Sequence, residues 1–198
     1  MPRKASFTAD ALTGKALQQF WLQGYHATSM DDLVEATAVS RHGIYSTFGG
    51  KKKLFLACFD RYREAVVSPA FNCVEGPDAD LATIAAYFEF QISRGEAAGL
   101  PGPGCFVANS ATEVAPHDTD TMAKVAEHND RLRRGFRNAI ARAYAKSGSA
   151  GDADVTELAD VCVIFTNGLW SMSRTVTDAN DLRRAVKAFL AVLRGTLT

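Results

Sequence analysis

Three adjacent residues, Ser40, Arg41 and His42, bring polar side chains into the first turn of a short predicted helix. A serine there can cap the helix by accepting a hydrogen bond from a backbone N–H. Arginine carries a planar fork of donors that matches the O6 and N7 acceptors of guanine, while histidine and serine accept a wider range of partners. A helix that presents such residues at its N-terminus suits the major groove of duplex DNA, so we expect these side chains to read bases.

Neighbouring residues are expected to contact the DNA backbone. Gly43 has no side chain, which would let the helix approach DNA closely, and the Tyr45 hydroxyl points away from the apolar face of its helix. Lys51 begins the next predicted helix, where an ammonium group and free N–H groups would bind phosphate together. The predicted DNA contacts are Ser29, Ser40, Arg41, His42, Gly43, Tyr45, Ser46, Thr47 and Lys51.

Three predicted helices place these residues. The first covers residues 8–23 and ends at Gly24. Ser29 begins the second, with Asp32 at the acidic position of a capping box three residues later. The third follows a tight turn and begins at Ser40, which gives the pattern of a helix-turn-helix.

Helical periodicity continues through the rest of the chain, and no segment shows a strand pattern worth assigning. We therefore predict an all-α fold. It consists of a helix-turn-helix DNA-binding domain, residues 1–50, and a larger helical domain, residues 51–198. The further predicted helices begin at Lys51 and then cover about 80–94, 118–146, 155–174 and 179–194, with loops at 99–104 and 147–154.

Composition and charge exclude several other classes of protein. The 198 residues are 47% hydrophobic with a formal net charge of zero, which suits a packed core and argues against a general coat for polyanions. Residues 1–65 hold nine Lys or Arg against six Asp or Glu, so the positive charge is local. No apolar run reaches membrane-spanning length and no signal peptide is visible, so we expect a cytoplasmic protein that makes no membrane contact. The four cysteines form no CxxC pair, and we expect no metal, disulfide or cofactor.

The segment ATSMDDLVEATAVSRHGIYSTFGGKKKLF, residues 27–55, resembles the DNA-binding domain of TetR-type transcriptional regulators. The matching features are the capping Thr or Ser, the Tyr45-x-x-Phe48 pair and the glycine–lysine exit that leads to Leu54 and Phe55. The resemblance covers about residues 8–60. It implies a homodimer that binds a palindromic operator, usually as a repressor, and that is released by a small molecule in the C-terminal domain. GCFVANSATEVAPHD, residues 104–118, is similar to a segment of one branch of these regulators.

Two departures from the family pattern bear on the DNA-binding domain. Ala38 stands where the turn commonly has a glycine, and at a positive φ an alanine costs about 1 kcal/mol unless the turn is shaped differently. His42 and Gly43 also differ from the usual residues. The operator sequence of a relative therefore cannot be transferred to this chain.

By the same resemblance, the last two helices pair across the dimer as a four-helix bundle. Their apolar side chains are more numerous than a peripheral hairpin needs, although these helices could instead close their own core. The predicted interface consists of Val161, Phe165, Leu169, Val186, Phe189, Leu190 and Leu193, and Ile164 shares the pattern.

A ligand cavity in such a domain would be apolar with a few polar groups. We therefore expect a small, largely apolar effector, although the polar candidates could equally cap helices or bridge to partners. The candidates are Tyr62, Phe88, Phe106, Asn109, Glu113, His128, Phe165 and Trp170.

Cys105 opens two alternatives. Its oxidation could control DNA binding in place of a ligand. More remotely, Cys105 could be the nucleophile of an enzyme with His117 or His128 as its base. The chain lacks an oxyanion-type turn and a cofactor motif, so we predict that it is not an enzyme.

Overall fold

The computed structural model describes residues 7–147 and 154–196, and within these ranges the chain is helical without any strand. The all-α prediction is therefore confirmed, while most of the predicted loop at 147–154 lies outside the described residues. A π-helical turn, Arg63–Val67, follows α4, and a 3₁₀ turn, Ala115–His117, precedes α8. The helices are α1 (Ala9–Gln23), α2 (Met30–Thr37), α3 (Arg41–Phe48), α4 (Lys51–Tyr62), α5 (Ser68–Glu75), α6 (Leu81–Ala98), α7 (Phe106–Glu113), α8 (Thr119–Ser147), α9 (Val155–Met172) and α10 (Ala179–Gly195).

Local capping signals explain where the early helices begin. The Thr8 side chain accepts a hydrogen bond from the N–H of Ala11 at 3.1 Å at the start of α1. Ser29 and Asp32 form a complete capping box for α2, with distances of 3.1 and 2.7 Å between side chain and backbone. These bonds satisfy N–H groups that a helix start would otherwise leave unpaired.

The described residues divide into two compact units. The first contains the chain up to Val67 together with Cys105–Val125, and the second contains Ser68–Gly104 together with the described residues from Ala126 onward. The segment that carries α7 therefore folds with the helix-turn-helix, although four other elements of the chain lie between them. That the DNA-binding domain ends at residue 50 stays a prediction.

Each unit has an aromatic core. In the first, the Phe55 ring lies 5.2 Å from that of Phe20 and 5.5 Å from that of Phe106, so one ring of α4 contacts both α1 and α7. In the second, Phe71 packs on Phe136 at 5.2 Å. A Cβ atom at Gly135 would lie 2.6 Å from the Phe71 ring, so α8 approaches α5 closely because that position has no side chain.

None of the helices in the described ranges is both long enough and apolar enough to cross a bilayer.

Candidate nucleic-acid interface

The turn between α2 and α3 passes through Ala38, which has φ 58° and ψ 25° in the left-handed region. Its N–H donates to the Val34 carbonyl at 2.9 Å, and the next residue, Val39, is buried. The turn thus keeps the shape that a glycine usually allows, and the alanine bears the conformational cost. This settles the question that the sequence left open about Ala38.

The first turn of α3 gathers the three predicted base-reading residues on an exposed surface. The Ser40 side chain accepts a hydrogen bond from the N–H of Gly43 at 3.1 Å and so caps the helix. Arg41 donates to a carboxylate oxygen of Asp31 at 2.7 Å while 56% of its side chain stays exposed, and His42 is exposed. The arginine is therefore accessible and has a weak, solvent-screened partner that DNA could replace.

The space that Gly43 leaves open faces its own unit. A Cβ atom there would lie 2.8 Å from a methyl group of Val39 and 3.3 Å from the Phe7 ring. The missing side chain therefore allows α3 to pack against its own unit, whereas clearance for DNA stays a prediction. The carbonyl of Gly43 accepts hydrogen bonds from the hydroxyls of Ser46 and Thr47 at 3.0 and 2.8 Å.

Tyr45, in contrast, extends from the opposite side of α3 with half of its surface exposed. Ile44 is fully buried and anchors the helix. This arrangement leaves the Tyr45 side chain accessible, as the sequence predicted, on the same short helix as Arg41 and His42.

The start of α4 holds its lysines in three different ways. Gly50 precedes α4, and no side chain caps the first N–H groups of the helix, which are the groups that can bind an anion at a helix start. The Lys51 ammonium lies 4.3 Å from the centre of the Tyr25 ring, a cation–π contact. Lys52 pairs with Asp118, and also with Asp120 at 3.0 Å. The third lysine, residue 53, is exposed.

Glu113, a predicted ligand contact, already has hydrogen-bond partners within the protein. Its two carboxylate oxygens accept hydrogen bonds from the backbone N–H groups of Tyr25 at 3.0 Å and His26 at 2.7 Å. The side chain therefore binds the α1–α2 loop. Because both of its oxygens already have protein donors, the structure does not favour it as a ligand contact.

The eight predicted ligand contacts are divided between the two units. Tyr62, Phe106, Asn109 and Glu113 belong to the first and the other four to the second. Tyr62 and Phe106 are 4% and 1% exposed, which makes them core residues. The sequence could not show this division because α7 folds back on the helix-turn-helix.

Three of the candidates in the second unit lie together. The Phe88 ring is 5.6 Å from that of Phe165 and 6.5 Å from that of Trp170. His128 is the fourth, and burial of its ring, with the positive charge of Arg131, lowers its pKa to about 4. It is therefore a neutral imidazole at physiological pH.

Cys105 is a buried thiol at the start of α7, with 5% of its surface exposed. Burial raises its pKa, and hydrogen bonds from Tyr62 and from the N–H groups of Ala108 and Val107 oppose this in part. The thiolate, which is the reactive form, is disfavoured in such surroundings. Both cysteine-based alternatives therefore lack support from this environment.

The predicted dimer interface separates into two groups. Leu169, Val186, Leu190 and Leu193 are 2–7% exposed, so they close the core of their own unit and offer little surface to a second copy. The helices carry a second, outward stripe, in which Val161, Ile164 and Val192 are 49%, 71% and 70% exposed. Between the stripes, the rings of Phe165 and Phe189 stack with centroids 4.0 Å apart.

Two protein-family models match parts of this chain. A model described as bacterial regulatory proteins, tetR family, matches residues 12–58, and one described as tetracyclin repressor-like, C-terminal domain, matches residues 81–189.

Two bacterial regulators are similar over most of the chain. The HTH-type transcriptional repressor ComR of Escherichia coli (strain K12) is 32% identical over 166 residues, which cover 82% of this chain and 78% of ComR. The uncharacterized HTH-type transcriptional regulator YezE of Bacillus subtilis (strain 168) is 26% identical over 198 residues, which cover 98% of this chain and 100% of YezE.

Among solved structures, a cysteine mutant of the TetR family transcriptional regulator CifR, complexed with 26bp double-strand operator DNA, has a TM-score of 0.82 and 22% identity. The match covers 96% of this chain and 98% of that chain. At this level of identity the likeness establishes the fold.

Proposed function

This chain belongs to the tetR family of bacterial regulatory proteins, and we propose on that premise that it is a transcriptional repressor. It binds a palindromic operator as a homodimer and leaves the operator when a small, largely apolar molecule binds to its second unit. It performs no catalysis and acts in the cytoplasm, where operator DNA lies. The observation that carries the proposal is the exposed first turn of α3, where Ser40, Arg41 and His42 stand together on a helix-turn-helix.

The relatives support the role of a repressor. ComR has that role in its name, and the CifR structure contains operator DNA. In this chain, Arg41 exchanges Asp31 for a guanine edge, since an exposed ion pair contributes little. Tyr45 and Lys51 bind phosphates and position the helix.

The effector site lies in the second unit, beside Phe88, Phe165 and Trp170. These rings supply the apolar lining that a small molecule needs. Asn167 donates to the side-chain carbonyl of Asn129 at 3.1 Å on the neighbouring helices, and this amide pair, next to a neutral His128, would provide the few polar contacts. We keep ligand control ahead of cysteine oxidation because Cys105 is buried with a raised pKa.

The homodimer forms through the outward stripe of α9 and α10, defined by Val161, Ile164, Met172 and Val192. Each of these side chains is at least 49% exposed, and exposed apolar side chains of this number on two helices suit a protein–protein contact. Two helices from each copy then pair as a four-helix bundle.

Selection of bound duplexes from a random DNA pool tests the DNA-binding role. The enriched sequence should contain an inverted repeat, because the two-fold symmetry of a dimer is mirrored in its operator. Small molecules are then screened for release of that duplex. A pool that shows no enrichment, or an enriched site without symmetry, would contradict the proposal.

Sedimentation of two α10 variants tests the dimer. Val192→Asp places a charge on the outward stripe and should give a monomer at micromolar concentration. Lys187→Asp, an exposed position on another side of the same helix, should remain a dimer. If both variants sediment like the wild type, another surface joins the copies.

A further inference from the structure

Glu113 holds the loop between α1 and α2 from far along the chain. Its Oε2 atom accepts from the N–H of Tyr25 at 3.0 Å, and its Oε1 atom accepts from the N–H of His26 at 2.7 Å. One carboxylate therefore binds two consecutive amides with charge-assisted hydrogen bonds, which are stronger than neutral ones.

The backbone at Gly24 is shaped to admit that carboxylate. Gly24 has φ +89°, and a Cβ atom there would lie 2.8 and 2.9 Å from the two oxygens of Glu113. The position thus requires a glycine for its dihedral angle and also for the close approach of the side chain. Such a fit distinguishes this contact from a chance surface pair.

The bonded loop presents the Tyr25 ring to α4. That ring lies 4.7 Å from the ring of Phe55, and the Lys51 ammonium stands 4.3 Å from its centre. Burial lowers the pKa of Lys51, while the negative charges of Glu113 and Asp32 oppose this. The position of the ammonium group therefore depends on the loop beneath it.

The segment that carries Glu113 is attached to the first unit by other contacts as well. Lys52 pairs with Asp118, and Lys124 donates to Asp60 at 3.0 Å. Loss of the Glu113 contact alone should consequently leave the unit folded, which allows DNA binding and folding to be measured separately.

We infer that Glu113 is a positioning residue for DNA binding, which fixes the α1–α2 loop so that Tyr25 holds Lys51 where its ammonium binds phosphate. This inference rests on the proposed role of Lys51. Glu113 acts through the loop and need not touch DNA itself.

A double-mutant cycle between Glu113 and Lys51 tests the inference. Glu113→Gln keeps the size of the side chain but turns an amide NH₂ toward one of the two N–H donors, so one bond is lost. The probes are the duplex enriched from the random pool and an unrelated duplex of equal length. Glu113→Gln and Lys51→Ala should each weaken binding to both duplexes by about tenfold. The double variant should lie within about twofold of Lys51→Ala, since residues that act through one another are not additive.

Two further variants make the outcome specific. Glu75→Gln disturbs a comparable pair, because Glu75 accepts from Arg131 at 2.8 and 2.7 Å within the second unit, and it should leave both affinities unchanged. Tyr25→Leu keeps the bonds of Glu113 but removes the ring below Lys51, and it should reproduce the loss even if Glu113→Gln fails to fold.

Additive losses in the cycle, or a folded Glu113→Gln variant with normal affinity, would overturn the inference and leave the DNA-binding role intact. A wild-type protein that binds neither duplex would refute that role and the inference with it.

Discussion

The first turns of α3 and α4 hold their charged side chains in different ways. In α3, Ser40 caps the helix and Arg41 pairs with an exposed neighbour, Asp31. In α4 there is no capping side chain, and Lys51 and Lys52 are held by residues from other helices and loops. For the proposed function, this means that the side chains expected to read bases have only an exposed ion-pair partner, whereas the lysine expected to bind phosphate is held by a contact with the Tyr25 ring.

The largest effect is expected at α3. Arg41→Ala should change the sequence preference, with a loss of about 1–3 kcal/mol at the base that the arginine contacts. The measurement is competition between the enriched duplex and versions with single base changes. Unaltered preference would show that the first turn of α3 does not read sequence.

At α4, Lys51→Ala should weaken binding to every duplex alike, by about tenfold, because a phosphate contact carries no sequence information. The slope of log affinity against log salt should fall by about one unit. Tyr45→Phe, which removes one hydroxyl, should lower the affinity for every duplex in the same uniform way but less. Titrations at several salt concentrations check this, and a change in base preference would contradict the contrast between the two helices.

The ion pair between Lys52, near the start of α4, and Asp118 should make the free energy of unfolding depend on pH. The hydrogen bond from Lys52, followed by that from Thr121, lowers the pKa of Asp118 to about 2. Because the folded value lies below that of the unfolded chain, about 4, the pair stabilises the protein above that pH. Its contribution is lost as the pH falls toward 2.

Asp118→Asn should therefore lower the free energy of unfolding by about 1 kcal/mol at neutral pH. The difference between the variant and the wild type should vanish as the pH approaches about 2. Urea unfolding across this pH range measures it. Lys52→Met should remove the larger share of the pH-dependent part, since Thr121 still donates to Asp118. A difference from the wild type that stays constant at all pH values would show that the pair is not its source.

The smallest effect concerns the turn that precedes α3. Ala38→Gly should raise the free energy of unfolding by about 0.5–1 kcal/mol, since glycine adopts the left-handed backbone without strain. Ala36→Gly, within α2, should lower it by about 1 kcal/mol. In thermal unfolding, the melting temperature should rise for Ala38→Gly and fall for Ala36→Gly. Shifts of the same sign would contradict the left-handed backbone at Ala38.

Much of the first unit could be predicted because its signals are local. The caps at Ser29 and Ser40 and the anchor Ile44 depend on residues three or four positions away, and all stand as the sequence indicated. The sequence did not show the packing reason for Gly43, because the space beside it is filled by Phe7, which precedes α1.

The long-range contacts of the candidate site could not be predicted, because no local pattern in the sequence marks them. Glu113 and Asp118 look like ordinary surface acids in the sequence, and their partners Tyr25 and Lys52 lie far away along the chain. Likewise, the apolar stripe of α10, with Val186, Leu190 and Leu193, does not show whether it is buried within its own unit or against a second copy. In the structure these side chains are buried and α10 packs against α6.

Gly24 and Glu113 also constrain how this chain can diverge by mutation. A larger residue at Gly24 is blocked while the carboxylate of Glu113 remains in place, and even after its loss the φ of +89° still disfavours any other residue. Glu113 is under no matching backbone constraint, since it lies within α7. Replacement of Glu113 therefore meets no backbone obstacle, whereas replacement of Gly24 meets both the carboxylate and its own dihedral angle.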